Sequence, residues 1–205
     1  MDHEVDTRRE GLATHDLLAN MDRDWSENWS ELVRRWNSKL RVLLHFRTAE
    51  LDGSVDAEDI RQETWAEAIR CFQRFDYRGP GSFYAWLAAI ARNQVRHAHR
   101  RAPRRIEATH EGTDETNSGP PSLLAAIEAS QTSVASRVAN RDLEQVVLRV
   151  VAELPDPLRE VILLRVYEGR SGREVAGLLR IHESSVSQRL KQGLERCAKL
   201  LRQMR

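Results

Sequence analysis

Six apolar residues, Trp25, Trp29, Leu32, Trp36, Leu40 and Leu43, recur at intervals of four, three, four, four and three. Side chains three and four apart share a face at 3.6 residues per turn, so this spacing predicts one amphipathic helix of about five turns. A second helix is expected over Asp56–Phe72, with Trp65, Ile69 and Phe72 on one face. Its acidic first turn (Asp56, Glu58, Asp59) suits the positive end of a helix dipole. The stretch DYRGPGS from Asp76 to Ser82 holds two glycines and a proline and breaks that helix; Phe83, Leu87 and Ile90 then begin a third. No stretch alternates with a period of two, so the predicted fold is all-α.

The aromatics divide the chain. Eleven of the twelve lie between Trp25 and Trp86, and only Tyr167 comes later. A Trp/Phe-rich core in the first half and a Leu/Val core in the second imply two small helical domains. Between them, residues 102–141 are rich in Ser, Thr, Ala and Gly with a Pro-Pro pair, which reads as a flexible linker with a short helix around Leu123–Ala129. The expected organisation is a disordered acidic arm over 1–24, a helical domain over 25–101, the linker, and a second domain over 142–205.

Charge follows the same divisions. The whole chain carries a formal +1, but residues 1–60 carry −6, 61–101 carry +5, 102–158 carry −4 and 159–205 carry +6. Two basic blocks separated by an acidic stretch predict two footprints on a polyanion such as nucleic acid, because the local field, not the net charge, steers association. Other classes find less support. No run approaches the ~18 apolar residues of a membrane span, and the first twenty residues lack the apolar segment of a signal peptide, so a cytoplasmic protein is expected. No G-x-x-x-x-G-K, H-E-x-x-H or G-x-S-x-G pattern occurs, so no enzyme and no cofactor are expected. Cys71 and Cys197 fit no zinc spacing and read as buried, inert thiols. His97 and His99 are two apart and point to different sides of a helix, so no metal site is expected.

The third helix ends in a basic stripe. Arg92, Arg96 and Arg100 recur every four residues, followed by Arg101, Arg104 and Arg105, with Asn93, His97 and His99 interspersed. Such a row reads as a phosphate-binding face or, more blandly, as a solvated charged one; five arginines between 96 and 105 without an acidic neighbour favour the former.

The second half is more specific. After Leu154-Pro155-Asp156-Pro157 come three helical segments, Leu158–Glu168, Gly172–Leu179 and about Glu183–Leu201, joined by short turns. Ser171 and Glu174 form a capping-box pattern. Val175, Leu178 and Leu179 are expected to be buried, as are Val186, Leu190, Leu194, Cys197 and Leu201. This is helix-turn-helix spacing. The exposed N-terminal face of the last helix would offer Ser184, Ser187, Gln188, Lys191 and Gln192 to base edges, with Arg189 flanking for phosphate.

At two places the residues resemble a known family. The run Ala57-Glu58-Asp59-Ile60-Arg61-Gln62-Glu63-Thr64-Trp65, with Phe75 through Asn93 (FDYRGPGSFYAWLAAIARN), resembles region 2 of bacterial extracytoplasmic-function sigma factors, of the sigma-70 family. Glu153-Leu154-Pro155 through Arg189-Leu190 resembles their region 4. The resemblance implies a promoter-specificity subunit whose partners are core RNA polymerase and promoter DNA, both duplex and melted, with an anti-sigma factor as a further partner left open.

It also implies roles. Asp59, Gln62 and Glu63 would meet the polymerase; Asp59 and Glu63 stand at i and i+4, and an ordinary solvated turn is the alternative. The loop from Tyr77 to Ser82 would receive a base leaving the stack, with Arg78, Arg92, Asn93, Arg96 and Arg100 on the strand backbone; a simple tight turn is the alternative there. Trp86 matches a family tryptophan, though its spacing suits the core. Leu87 replaces a second wedge tryptophan, so weaker melting is expected. The acidic linker residues Glu107, Glu111, Asp114 and Glu115 would enter a polymerase channel, or serve as a generic acidic linker. Arg180 stands where the family turn commonly has Gly, and His182 where the helix cap is usually Ser or Thr, departures that leave the turn geometry and the start of the last helix open by about a residue. The alternative for the whole chain is a stand-alone helix-turn-helix regulator, which leaves the first hundred residues without a role.

Overall fold

The computed structural model describes residues 13–49, 51, 55–107 and 134–203, apart from the side chains of 102–107 and 134–141. The described elements are helical: α1 (Thr14–Ala19), α2 (Trp25–Ala49), α3 (Ala57–Cys71), a 3-10 turn (Phe72–Arg74), α4 (Ser82–Glu107), α5 (Val134–Ala152), α6 (Asp156–Ile162) continuing as a π-helical turn (Leu163–Tyr167), α7 (Gly172–Leu179) and α8 (Glu183–Gln203). No described helix is long and apolar enough to cross a membrane.

Helices α1 to α4 form the first module. Trp29, Leu32, Leu40 and Leu43 of the α2 stripe are buried, and Trp29 stacks on Trp25 at 5.5 Å while meeting Trp65, Phe72 and Phe83 edge-on. Burying one such ring, roughly 200 Å² of mostly apolar surface at about 25 cal/mol per Å², contributes about 5 kcal/mol before entropy is charged. Asp56 caps α3 by accepting from the Glu58 backbone N–H at 2.8 Å. Gly79 and Gly81 hold φ of +116° and +84° in the loop before α4, a conformation L side chains rarely adopt. Trp86 is half-buried against Phe75 and Phe83, and Leu87 is fully buried, so neither stands out as a wedge.

Three boundaries differ from the sequence reading. Residues 14–19 are helical and Leu17 is fully buried, so the stretch from 14 to 24 is packed and not a disordered arm: an apolar pair, Leu17 and Met21, seats it on the α2 core, while residues 1–12 lie outside the described residues. Helix α4 runs to Glu107 and α5 begins at Val134, both inside the stretch read as linker, because nothing between 101 and 107 except Pro103 opposes helix continuation. The short helix expected at Leu123–Ala129, and Glu111, Asp114 and Glu115, lie outside the described residues. Cys71 and Cys197 are half-buried, not buried; Cys71 Sγ donates to Glu67 Oε1 at 2.9 Å, and that bond raises the thiol pKa.

Helices α5 to α8 form the second module around Val161, Leu164, Val175 and Val186. Gly193 lets α8 approach α6: a Cβ there would stand 3.0 Å from the Ile162 side chain. Leu178, Leu194 and Leu201, expected to be buried, are 53%, 49% and 39% exposed. The small core takes in Val175 and Val186 fully and Leu179 and Leu190 in part, and leaves Leu178, Leu194 and Leu201 outside.

The modules touch. Helix α2 lies against α5 and the π turn. The π turn, closed by the Glu168 N–H to the Leu163 carbonyl at 2.8 Å, leaves the Glu168 side chain only 2% exposed. Arg47 and Arg92 of the first module and Arg170 of the second surround its carboxylate at 2.7, 3.4 and 2.7 Å. Arg47 also pairs with Glu160, Arg41 pairs with Glu144, and Tyr84 Oη donates to the Tyr167 carbonyl at 2.7 Å. Burial lowers the Arg92 pKa and pushes the Tyr167 hydroxyl up to about 12.

Candidate nucleic-acid interface

The turn between α7 and α8 is built by local chemistry. Ser171 Oγ accepts from the Glu174 backbone N–H, and the Glu174 carboxylate accepts from the Ser171 backbone N–H at 2.7 Å, completing the capping box. The Ser171 hydroxyl, which also donates to the Glu174 carboxylate at 2.7 Å, and the Ser171 backbone N–H hold the Glu174 carboxyl below its ordinary range. Arg180 takes the left-handed conformation (φ 53°, ψ 44°), and the Ile181 N–H reaches back to the Ala176 carbonyl, as in a glycine-ended helix. The turn left open by the Arg180 and His182 departures keeps the glycine-type geometry, at a cost in backbone strain. His182 occupies the cap position, its carbonyl accepting from Val186, and α8 starts at Glu183.

On α8, Ser184, Ser187, Gln188, Lys191 and Gln192 are all exposed, with Arg189 half-buried beside them. Buried Val186 turns the opposite face inward. The arrangement is a helix with amide, hydroxyl and ammonium groups outward at its N-terminal end, a surface of the kind that reads base edges in a major groove. Sequence reasoning missed Arg173, exposed in the first turn of α7, and Arg180 itself, exposed beside the turn. The first helix of such a pair crosses the phosphate backbone, so Arg173 next to the cap was a readable signal.

In the first module, Asn93, Arg96 and Arg100 are exposed along α4, and the Arg96 guanidinium donates to the Asn93 side-chain Oδ1. Arg92 is diverted: only 25% exposed, it faces Glu168. The loop ahead of α4 carries exposed Tyr77 and Arg78, the latter 80% exposed and 3.1 Å from Asp76. Asp59, Gln62 and Glu63 lie exposed on the outer face of α3. Beside them Arg61 is held by Glu58 and by Asn37 at 2.9 Å, and the Arg61 bond lowers the Glu58 pKa. The predicted residues thus divide into an α8 patch, an α4 and loop patch and an α3 patch. Among the described residues no group of three or more His, Cys, Asp or Glu is placed to hold a metal ion.

The family model described as Sigma-70 region 2 matches residues 32–105, and the one described as Sigma-70, region 4 matches residues 144–197; together they cover well over half of the chain. The chain belongs to the sigma-70 family. Its relatives place it in the extracytoplasmic-function branch. It is 27% identical over 184 residues to the ECF RNA polymerase sigma-E factor of Escherichia coli K12, covering 88% of this chain and 90% of that protein. It is 32% identical over 139 residues to the probable RNA polymerase sigma factor RfaY of Xanthomonas campestris pv. campestris, covering 65% of this chain but 31% of that longer protein. Among solved structures, CnrH in complex with the cytosolic domain of CnrY is 22% identical, with 92% of this chain and 94% of that one covered and a TM-score of 0.38. In this sigma factor the α3 and α4 patches fall within region 2 and the α8 patch within region 4.

Proposed function

We propose that this sigma factor brings core RNA polymerase to promoters through two DNA contacts and one protein contact. The α8 face, Ser184, Ser187, Gln188, Arg189, Lys191 and Gln192, reads duplex DNA near minus thirty-five. Arg173 supports it on phosphate. The loop with Tyr77 and Arg78 receives an unstacked base near minus ten, and Arg92, Asn93, Arg96 and Arg100 follow the strand backbone. Asp59, Gln62 and Glu63 meet the polymerase. The protein supplies no chemistry of its own, and its place is the cytoplasm, where the polymerase works.

The observation that carries this reading is the pairing, in one chain, of an outward Gln/Ser/Lys face on a capped helix-turn-helix with an outward arginine row on a separate helical module. The stand-alone regulator reading gives the region 2 module no role and is not favoured. Run-off transcription with bacterial core polymerase and the DNA upstream of this coding sequence tests the proposal. Start-site-specific transcripts dependent on the added protein are expected; core binding without any specific initiation would refute it. Whether an anti-sigma factor also binds is a matter for pull-down from the source cells, where the expected partner would displace core polymerase.

A further inference from the structure

We infer that His15 of α1 is a DNA contact: its imidazole and the Tyr77 ring form a two-ring platform on which one unstacked base of the melted strand rests. The inference deepens the proposed base-receiving role of the loop from Tyr77 to Ser82 and rests on it.

Helix α1 holds His15 in place. Six residues are too few to form a stable helix alone, so its position is set by contacts with the rest of the module. Leu17 and Met21 sink into the first core, Asn28 Nδ2 donates to the Asn20 carbonyl at 2.9 Å, and Arg35 donates to Thr14 Oγ1 at 3.2 Å while paired with the buried Glu31. Residues two apart on a helix point to different sides, so burial of Leu17 turns His15 outward, its side chain 58% exposed.

The ring it meets is set apart from the other aromatics. Of the described Trp, Tyr and Phe side chains, Tyr77 alone is exposed, at 39%. Its centroid lies 5.7 Å from that of His15, with the ring planes 41° apart. The loop behind it is fixed by Ser82 Oγ, which donates to the Gly79 carbonyl at 2.7 Å and accepts from the Arg78 N–H at 3.3 Å. Two rings anchored on separate elements, in one module with the exposed arginine row of α4, supply the stacking surface and the positive charge that single-strand binding requires.

Spacing decides how a base would lie. A base stacks at about 3.4 Å, so a ring pair needs a separation of roughly 7 Å to admit one between its members. At 5.7 Å these rings do not, and the base rests across the open side of the pair. Asp16 Oδ1, 2.9 Å from His15 Nδ1, offsets any charge the imidazole carries. His15 therefore offers a ring face, and the phosphates fall to Arg96 and Arg100.

The test titrates the full chain onto single-stranded oligonucleotides that tile the non-template strand upstream of this coding sequence. Each carries 2-aminopurine at one position, a base whose fluorescence is quenched by stacking on a ring. One position is expected to be quenched by the wild type. His15→Ala is expected to lose most of that quenching and to weaken binding roughly five- to tenfold, with the salt slope unchanged because no phosphate contact is removed. His15→Phe should restore both, since a phenyl ring stacks as well as an imidazole. Far-UV circular dichroism screens for unfolding, and should His15→Ala lose helicity, the ringless but hydrogen-bonding His15→Gln replaces it. Wild-type quenching and affinity in His15→Ala, no rescue by His15→Phe, or a lowered salt slope would each overturn the inference. If Tyr77→Ala abolishes quenching while His15→Ala does not, the loop keeps its role and His15 loses its own; if Tyr77→Ala also behaves as the wild type, or the wild type quenches nowhere, the base-receiving loop falls with it.

Discussion

Arg180 shows how a single residue bears the cost of the turn. Holding an L side chain in the left-handed region costs roughly 1–2 kcal/mol, partly offset in a Gly replacement by that residue's greater freedom when unfolded. Arg180→Gly is therefore expected to stabilise the second module by up to about 1 kcal/mol, seen as a few degrees in a thermal melt; a lower melting temperature would show that the arginine side chain makes a compensating contact. On the reading face, Gln188→Ala or Lys191→Ala is expected to cost about 1–3 kcal/mol of preference for the cognate promoter over random duplex. Arg96→Ala should instead weaken both DNAs alike. Competition binding separates the two patterns, and equal losses from the α8 substitutions on both DNAs would remove α8 as the reading helix.

Among the elements, α7 depends most on its ends, because eight residues are too few to be stable without capping and packing. Ser171→Ala removes one half of the capping box and is expected to cost about 1 kcal/mol in chemical denaturation. Glu174 adds a pH signature. Its folded pKa is depressed by the Ser171 hydroxyl and backbone N–H, so its contribution is complete above the ordinary carboxylate range and is lost as the pH falls through the depressed value. The acid limb of the stability curve should therefore flatten in Glu174→Gln, and an unchanged limb would mean the carboxylate is equally served in the unfolded chain. Gly193 governs how α8 seats. Gly193→Val would push against Ile162 and is expected to cost about 1–3 kcal/mol, a loss that Ile162→Ala in the same chain should partly recover.

For the whole molecule, two basic patches on separate modules predict a steep salt dependence of promoter binding, with each exposed phosphate contact adding about one to the slope of log affinity against log salt. Arg100→Gln should lower that slope by about one, and an unaltered slope would take Arg100 off the strand. Much of this organisation was already determined by the sequence. The stripe from Trp25 to Leu43, the Ser171 and Glu174 pair, the glycines flanking Pro80 and the outward Gln/Ser/Lys set on α8 all act within one or two helical turns, and such local preferences are written in residue spacing. Other features were decided only by the tertiary structure. Leu17 pulled the acidic arm into the core, Leu178 and Leu194 ended outside because the second core is too small to cover them, and Arg180 was forced into a glycine conformation by the packing of the helices on either side. Above all, the π turn carried Glu168 inward to Arg47 and Arg92, more than seventy residues away along the chain. No periodicity records such a contact, because its energy exists only once two separately folded surfaces meet.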